Sequence, residues 1–208
     1  MRHLTLIWLM LVLLLSGCCD EEADEASSGQ SGDESGMAGG INLDDAEVLA
    51  GIVQAALPGD ALHGRLSEGE VLVYEVDLDV PHTGWVKQMH ANGKLAGLAH
   101  YREGRLHGPA ARWYRTGQRA QQTFYQHGKE HGVETWWYQD GVKWKETHFK
   151  DNREHGPETW WYKNGRKRSQ THYVDGQLQG PAASWHENGE EWYKIDYQDG
   201  HMVEPREL

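Results

Sequence analysis

The sequence predicts an all-β fold: an elongated, single-layer antiparallel meander of β-hairpin repeats, preceded by a short helix and a disordered tether. Three observations carry this. Trp113, Trp137, Trp161 and Trp185 recur every 24 residues. Two glycine columns share that period, one through Gly108, Gly132, Gly156 and Gly180, the other through Gly93, Gly117, Gly141, Gly165 and Gly189. Equal spacing of a large apolar residue and of turn glycines means that one small unit is stacked on copies of itself, each covering what its neighbour exposes.

From the N-terminus, Arg2 and His3 precede an apolar run from Leu4 to Leu15, which ends in Leu15-Ser16-Gly17-Cys18. The run is shorter than the roughly 20 residues a spanning helix needs, so residues 1–17 read as a signal peptide. The Leu-Ser-Gly-Cys ending resembles a lipobox. It implies cleavage before Cys18, lipid attachment to that thiol, and an exported lipoprotein held on a bacterial membrane, either the outer membrane or the cell surface. An ordinary cleaved signal with an incidental cysteine is the alternative. Cys19 is the other thiol, so no intramolecular disulfide framework is expected.

Residues 18–41 form an acidic, Gly/Ser-rich stretch. Residues 20–47 hold ten acids and no Lys or Arg, a composition that cannot bury enough apolar surface to offset its ordering entropy. A disordered tether follows from that. Within 42–58, Val48, Leu49, Ile52, Val53, Ala56 and Leu57 fall at helical spacing, with acids in the first turn and Pro58-Gly59 as a stop. A short amphipathic helix capping the open end of the sheet is expected here. Residues 60–84, with Glu68-Gly69 and Gly84 in register, form a degenerate repeat or a cap, and 85–204 hold five 24-residue repeats.

Each repeat carries two turn signals, as in Asn164-Gly165 and Asp175-Gly176. Such pairs flanked by aromatic and β-branched residues mark hairpins, because both turn residues must tolerate a positive φ. In one repeat the second turn reads Asp151-Asn152, and Asn is the next-best residue for that conformation. Alternation along the strands separates two faces. Trp113, Trp137, Trp161 and Trp185 are assigned to the structural core, together with the columns through Ala99, Thr123, Thr147, Thr171 and through Tyr101, Tyr125, Phe149, Tyr173. The other face carries Arg112, Trp136 and Trp160, then Tyr114, Tyr138 and Tyr162, then His100, His148 and His172. The Trp136/Trp160 and tyrosine columns are either a cross-strand ladder or a binding platform.

The pattern G-x-x-x-W-Y-x-x-N-G, a polar strand, then Y-x-x-G-x-x-x-G resembles the bacterial variant of the MORN repeat, an antitoxin-like repeat family. That resemblance implies a sheet of successive hairpins. For function it implies lipid binding, protein scaffolding or an antitoxin role.

The net charge of −12 hides a division, since residues 84–180 carry +7. A mildly basic sheet between acidic flanks favours an anionic glycan, headgroup or acidic protein; alternatively the acidic tail folds back on it. Nucleic acid is not an expected partner, because the segment is only mildly basic and export separates it from the genome. No nucleophile elbow, phosphate loop, zinc-binding His pair or repeated carboxylate pair suggests an enzyme. Neither metal nor cofactor is expected: the column His107, His131, His155 is spaced about 10 Å per repeat, too far for imidazoles to share one ion.

The expected function is therefore a non-enzymatic binding or scaffold module, anchored through its N-terminal lipid and presenting the repeat sheet to an envelope partner, a protein or an anionic component. Tyr114, Trp136, Tyr138, Trp160, Tyr162, Arg112 and Lys163 are the candidate binding residues. A glycan or cell-wall binder is one alternative, and an immunity protein against an envelope-acting toxin another. The sequence leaves the oligomeric state open.

Overall fold

The computed structural model describes residues 41–67, 70–76, 78 and 80–203. The signal peptide, Cys18, residues 18–40 of the tether and the Glu68-Gly69 turn lie outside the described residues. The chain forms two compact units, Met1–Gln118 and Arg119–Leu208.

The first unit opens with helix α1, Ala46–Ala55, whose N-cap Asp45 accepts backbone hydrogen bonds from Glu47 at 2.9 Å and Val48 at 3.1 Å. These satisfy two of the donors that a helix start leaves unpaired. Strand β1 (Leu57–Pro58) follows, then β2 (Leu62–Ser67), β3 (Glu70–Glu75), β4 (Gly84–Met89), β5 (Leu95–Arg102) and β6 (Arg105–Trp113). β4, β5 and β6 form an antiparallel meander, whereas β2 and β3 pair with each other as a separate two-stranded sheet. Residues 60–84 thus supply a covering hairpin rather than a further rung of the repeat ladder.

Both faces of this meander are covered. On one, Leu49, Ile52 and Val53 of α1 pack on Leu98, Ala111, Trp113, Trp85 and Leu95. On the other, Leu62 and Val73 of the β2–β3 hairpin pack on Val86, Tyr101, Ala99 and Leu106. The helix lies on a face, not across the open end as the sequence suggested. Its apolar stripe needs a broad surface, and a strand edge presents backbone groups that a helix cannot satisfy. The edge of β4 is met instead by β1, in parallel register with Leu57 opposite Val86.

The second unit contains β7 (Arg119–Gln126), β8 (Lys129–Glu130), β9 (Gly132–Trp137), β10 (Lys143–Lys150), β11 (Arg153–Trp161), β12 (Lys167–Val174), β13 (Gln177–Leu178), β14 (Gly180–Trp185), β15 (Glu191–Gln198) and β16 (His201–Val203). They run as an antiparallel meander in chain order, with the two-residue strands β8 and β13 pairing back on β7 and β12. The expected all-β meander of hairpins after one short helix is what forms.

The second turn of each repeat has both central residues at positive φ, as at Asp151 (52°) with Asn152 (67°) and Asp175 (50°) with Gly176 (83°). Asn152 also explains why Asn can replace Gly: its Oδ1 accepts from the Glu130 amide at 2.7 Å, and its own amide donates to the Glu130 carbonyl at 3.0 Å. Turns are thereby stitched to the preceding repeat.

One feature of the face assignment is corrected. Register shifts fall between Gln88 and Met89, Lys143 and Lys145, Trp160 and Trp161, and Ser184 and Trp185. Each bulge changes the parity of alternation between the two strands of a repeat. Thr147 stands opposite Glu158, and Lys145 opposite Trp160. The threonine and tyrosine columns therefore share the face of Trp136 and Trp160, while His100, His148 and His172 lie with the Trp113/Trp137/Trp161/Trp185 column. Of that tryptophan column only Trp113, which packs against α1, is buried; Trp137, Trp161 and Trp185 are half-buried.

Candidate functional site

The strongest concentration of chemistry lies on one face of the second unit. Trp144 stands at its centre, with ring centroids 5.6 Å from Trp136, 6.3 Å from Tyr138 and 5.2 Å from Trp160, all tilted. The bulge at Lys143–Lys145 turns Trp144 onto this face, beside the columns that straight alternation would oppose to it. The sequence reading missed Trp144. It has no aromatic counterpart one repeat earlier or later, where Ala120 and Arg168 stand, so periodicity hides it.

Beneath the indoles runs a polar ladder. Glu158, buried, accepts from the Trp160 indole N–H at 2.8 Å and the Thr147 hydroxyl at 3.2 Å, and pairs with the Lys145 ammonium at 3.0 Å. That ammonium also sits 4.9 Å from the centre of the Trp160 ring. One repeat earlier, Glu134 accepts from Gln121 Nε2 at 2.7 Å and the Thr123 hydroxyl at 3.1 Å. A buried carboxylate is tolerable only with such partners. The ladder ties the Trp160 indole of the aromatic platform to the sheet.

Glu134 and Glu158 each have a second carboxylate nearby, in Glu130 and Glu154. Burial pushes the Glu130 carboxyl upward, and the negative charge of Glu134 adds to it; burial and then Glu158 do the same to Glu154. These are repeated carboxylate pairs, which the sequence reading did not single out. The signal was there, in Lys129-Glu130-His131-Gly132-Val133-Glu134 and Arg153-Glu154-His155-Gly156-Pro157-Glu158 at the common period. The partners of Glu134 and Glu158 account for both as structural groups.

The remaining candidates divide. Tyr138 and Tyr162 donate their hydroxyls to the carbonyls of Trp161 (3.5 Å) and Trp185 (2.9 Å), one repeat on. Both tyrosines thus build the ladder as well as the surface. Lys163 is exposed in the turn after β11, and Arg112 and Tyr114 belong to the first unit. Arg166 is drawn to the turn carbonyls of Glu187 and Asn188. The turn histidines His131 and His155 reach the carboxylates of Asp151 and Asp175 at 3.6 and 3.4 Å. Among the described residues no three His, Cys, Asp or Glu side chains are grouped to hold a metal. Trp192 occupies the Trp144 position two repeats on, and it is 67% exposed, flanked by His186 and Tyr193.

With this geometry in place, the comparison with known families is specific. Residues 130–151 and 154–175 match the family described as MORN repeat variant. The matched segments are the two repeats that carry the Glu/Glu pairs and Trp144. No curated protein matches the chain.

Proposed function

We propose that the protein is a membrane-anchored, non-enzymatic binding module, in which the repeat sheet presents the Trp136–Trp144–Trp160 cluster to a partner in the cell envelope. The observation that carries this is the cluster itself: three half-buried indoles gathered on a sheet face and held by a satisfied polar network. Aromatic surface fixed in this way loses little entropy on binding and supplies the large contact area typical of interface anchors. The Leu-Ser-Gly-Cys signal supports anchoring through Cys18, with export ahead of it, and the MORN-type repeats support a scaffold over a catalyst.

Two measurements test the reading. Mass spectrometry of natively produced protein should find an acylated N-terminus at Cys18, and Cys18→Ala should leave unprocessed precursor. Envelope proteins retained by the full chain should be lost on Trp144→Ala/Trp160→Ala with folding intact. Equal retention by the two chains would remove the cluster as the site.

A further inference from the structure

The opposite face of the second unit carries a different pattern, which the aromatic cluster does not use. A single row crosses the sheet there, one residue per strand: Arg119, Trp137, Lys143, Trp161, Lys167, Trp185 and Glu191. Trp137 stands opposite Lys143, Trp161 opposite Lys167, and Trp185 opposite Glu191. The Arg119 guanidinium lies 5.8 Å from the Trp137 ring centre and the Lys143 ammonium 6.0 Å from that of Trp161. Cation and indole therefore alternate, with like groups about 10 Å apart because each repeat contributes two strands.

The same repeat positions in the first unit are Met89, Leu95 and Trp113, an apolar row, and there α1 lies over Leu95 and Trp113. The row changes to Arg119, Lys143 and Lys167 where no helix or second sheet covers it among the described residues. Lys143 and Lys167 are exposed; Lys143 is 2.8 Å from Glu146, and Lys167 is 3.2 Å from Gln170. Exposed pairs of this kind are weak and yield readily to a better anion.

We propose that this row is a binding site for an anionic polysaccharide whose repeating disaccharide carries one carboxylate. Three features select that ligand. The cations recur at about 10 Å, near the length of one disaccharide. Flat indole faces lie between them, suited to the apolar face of a pyranose ring. A sheet face, unlike a sheet edge, offers no free main-chain ladder, so an extended acidic peptide would forfeit the backbone bonds from which strand-like binding draws its affinity. The proposal rests on the reading of the protein as a binding module but uses the face opposite its aromatic cluster.

The test is a tryptophan-fluorescence titration of the full chain in detergent micelles, at low and high salt. The probes are a hyaluronate decasaccharide, a neutral cello-oligosaccharide, poly-glutamate and phosphatidylglycerol vesicles. The decasaccharide should bind, more weakly at high salt. Lys143→Gln/Lys167→Gln should weaken it about tenfold at an unchanged melting temperature, since these exposed pairs add little to stability. Trp144→Ala/Trp160→Ala, on the other face, should leave it unchanged. The proposal is overturned if the decasaccharide does not bind, if any other probe binds as well, or if the lysine variants bind it as the parent does. Its failure alone, with envelope capture by the Trp144 cluster intact, leaves the binding-module reading standing; loss of both defeats that reading too.

Discussion

Glu158→Ala is the sharpest probe of what holds the aromatic platform. Glu158 is 8% exposed, and its carboxylate takes three partners: the Trp160 indole N–H at 2.8 Å, Lys145 at 3.0 Å and the Thr147 hydroxyl at 3.2 Å. Thr147 is 1% exposed, so water cannot replace the lost bond without moving the sheet. Removing one member of a buried pair leaves an uncompensated charge, here on Lys145, at a cost of about 3–5 kcal/mol. With a urea slope of about 2 kcal/mol/M, the unfolding midpoint should fall by about 2 M. Glu146→Ala is the control. Its pair with Lys143 has side chains 25% and 47% exposed, and its loss should cost under about 1 kcal/mol. Lys145→Met/Glu158→Met should recover much of the loss, because removing both charges leaves neither stranded. Urea unfolding followed by tryptophan fluorescence reads all four chains. A midpoint shift for Glu158→Ala no larger than that for Glu146→Ala would refute the claim that this ladder holds the platform.

Three further outcomes follow from the same structure. Glu130 and Glu154 have folded pKa values raised by burial and by Glu134 and Glu158, so the folded state holds more protons than the unfolded one and stability falls as pH rises through the raised values; Glu130→Gln/Glu154→Gln should raise the melting temperature at pH 7, and the difference should vanish below about pH 4. Burial pushes the Tyr101 hydroxyl up to about 12, so its contribution is complete below the unfolded value near 10 and is lost between about pH 10 and 12; Tyr101→Phe should flatten the alkaline limb of a melting-temperature profile. A Cβ at Gly104 would meet the backbone N and O of Val73 at 3.0 Å, whereas one at Gly141 meets nothing within 4 Å; both carry positive φ, so Gly141→Ala should cost about 1 kcal/mol of backbone strain and Gly104→Ala clearly more in chemical unfolding, because it also pushes the β2–β3 hairpin away.

The repeat and its turns were legible because they depend on local rules. The 24-residue period fixed where each hairpin lies, and Asn152 at a φ of 67° sits where Asn best replaces Gly. The pairing of columns into faces was not legible. It depends on bulges such as the one between Lys143 and Lys145, which leave no residue signature and reverse parity across a hairpin. Trp144 was lost because it has no aromatic counterpart one repeat away, and with it went the centre of the aromatic cluster. The burial of Trp113 was likewise hidden, because it reflects where α1 settles, a tertiary choice that identical repeats cannot disclose. The Glu130/Glu134 and Glu154/Glu158 pairs recur at the common period, but their burial depends on partners that only the fold supplies.

The claim that the indole cluster is the recognition surface meets its most direct test in one comparison. Full-length lipidated protein and its Trp144→Ala variant, matched for melting temperature, are titrated against the same envelope-protein fraction by immobilised-chain binding. The account predicts a saturable signal for the parent, lost or weakened about tenfold or more in the variant, as for truncation of an aromatic anchor. Indistinguishable titrations of the two chains would contradict it.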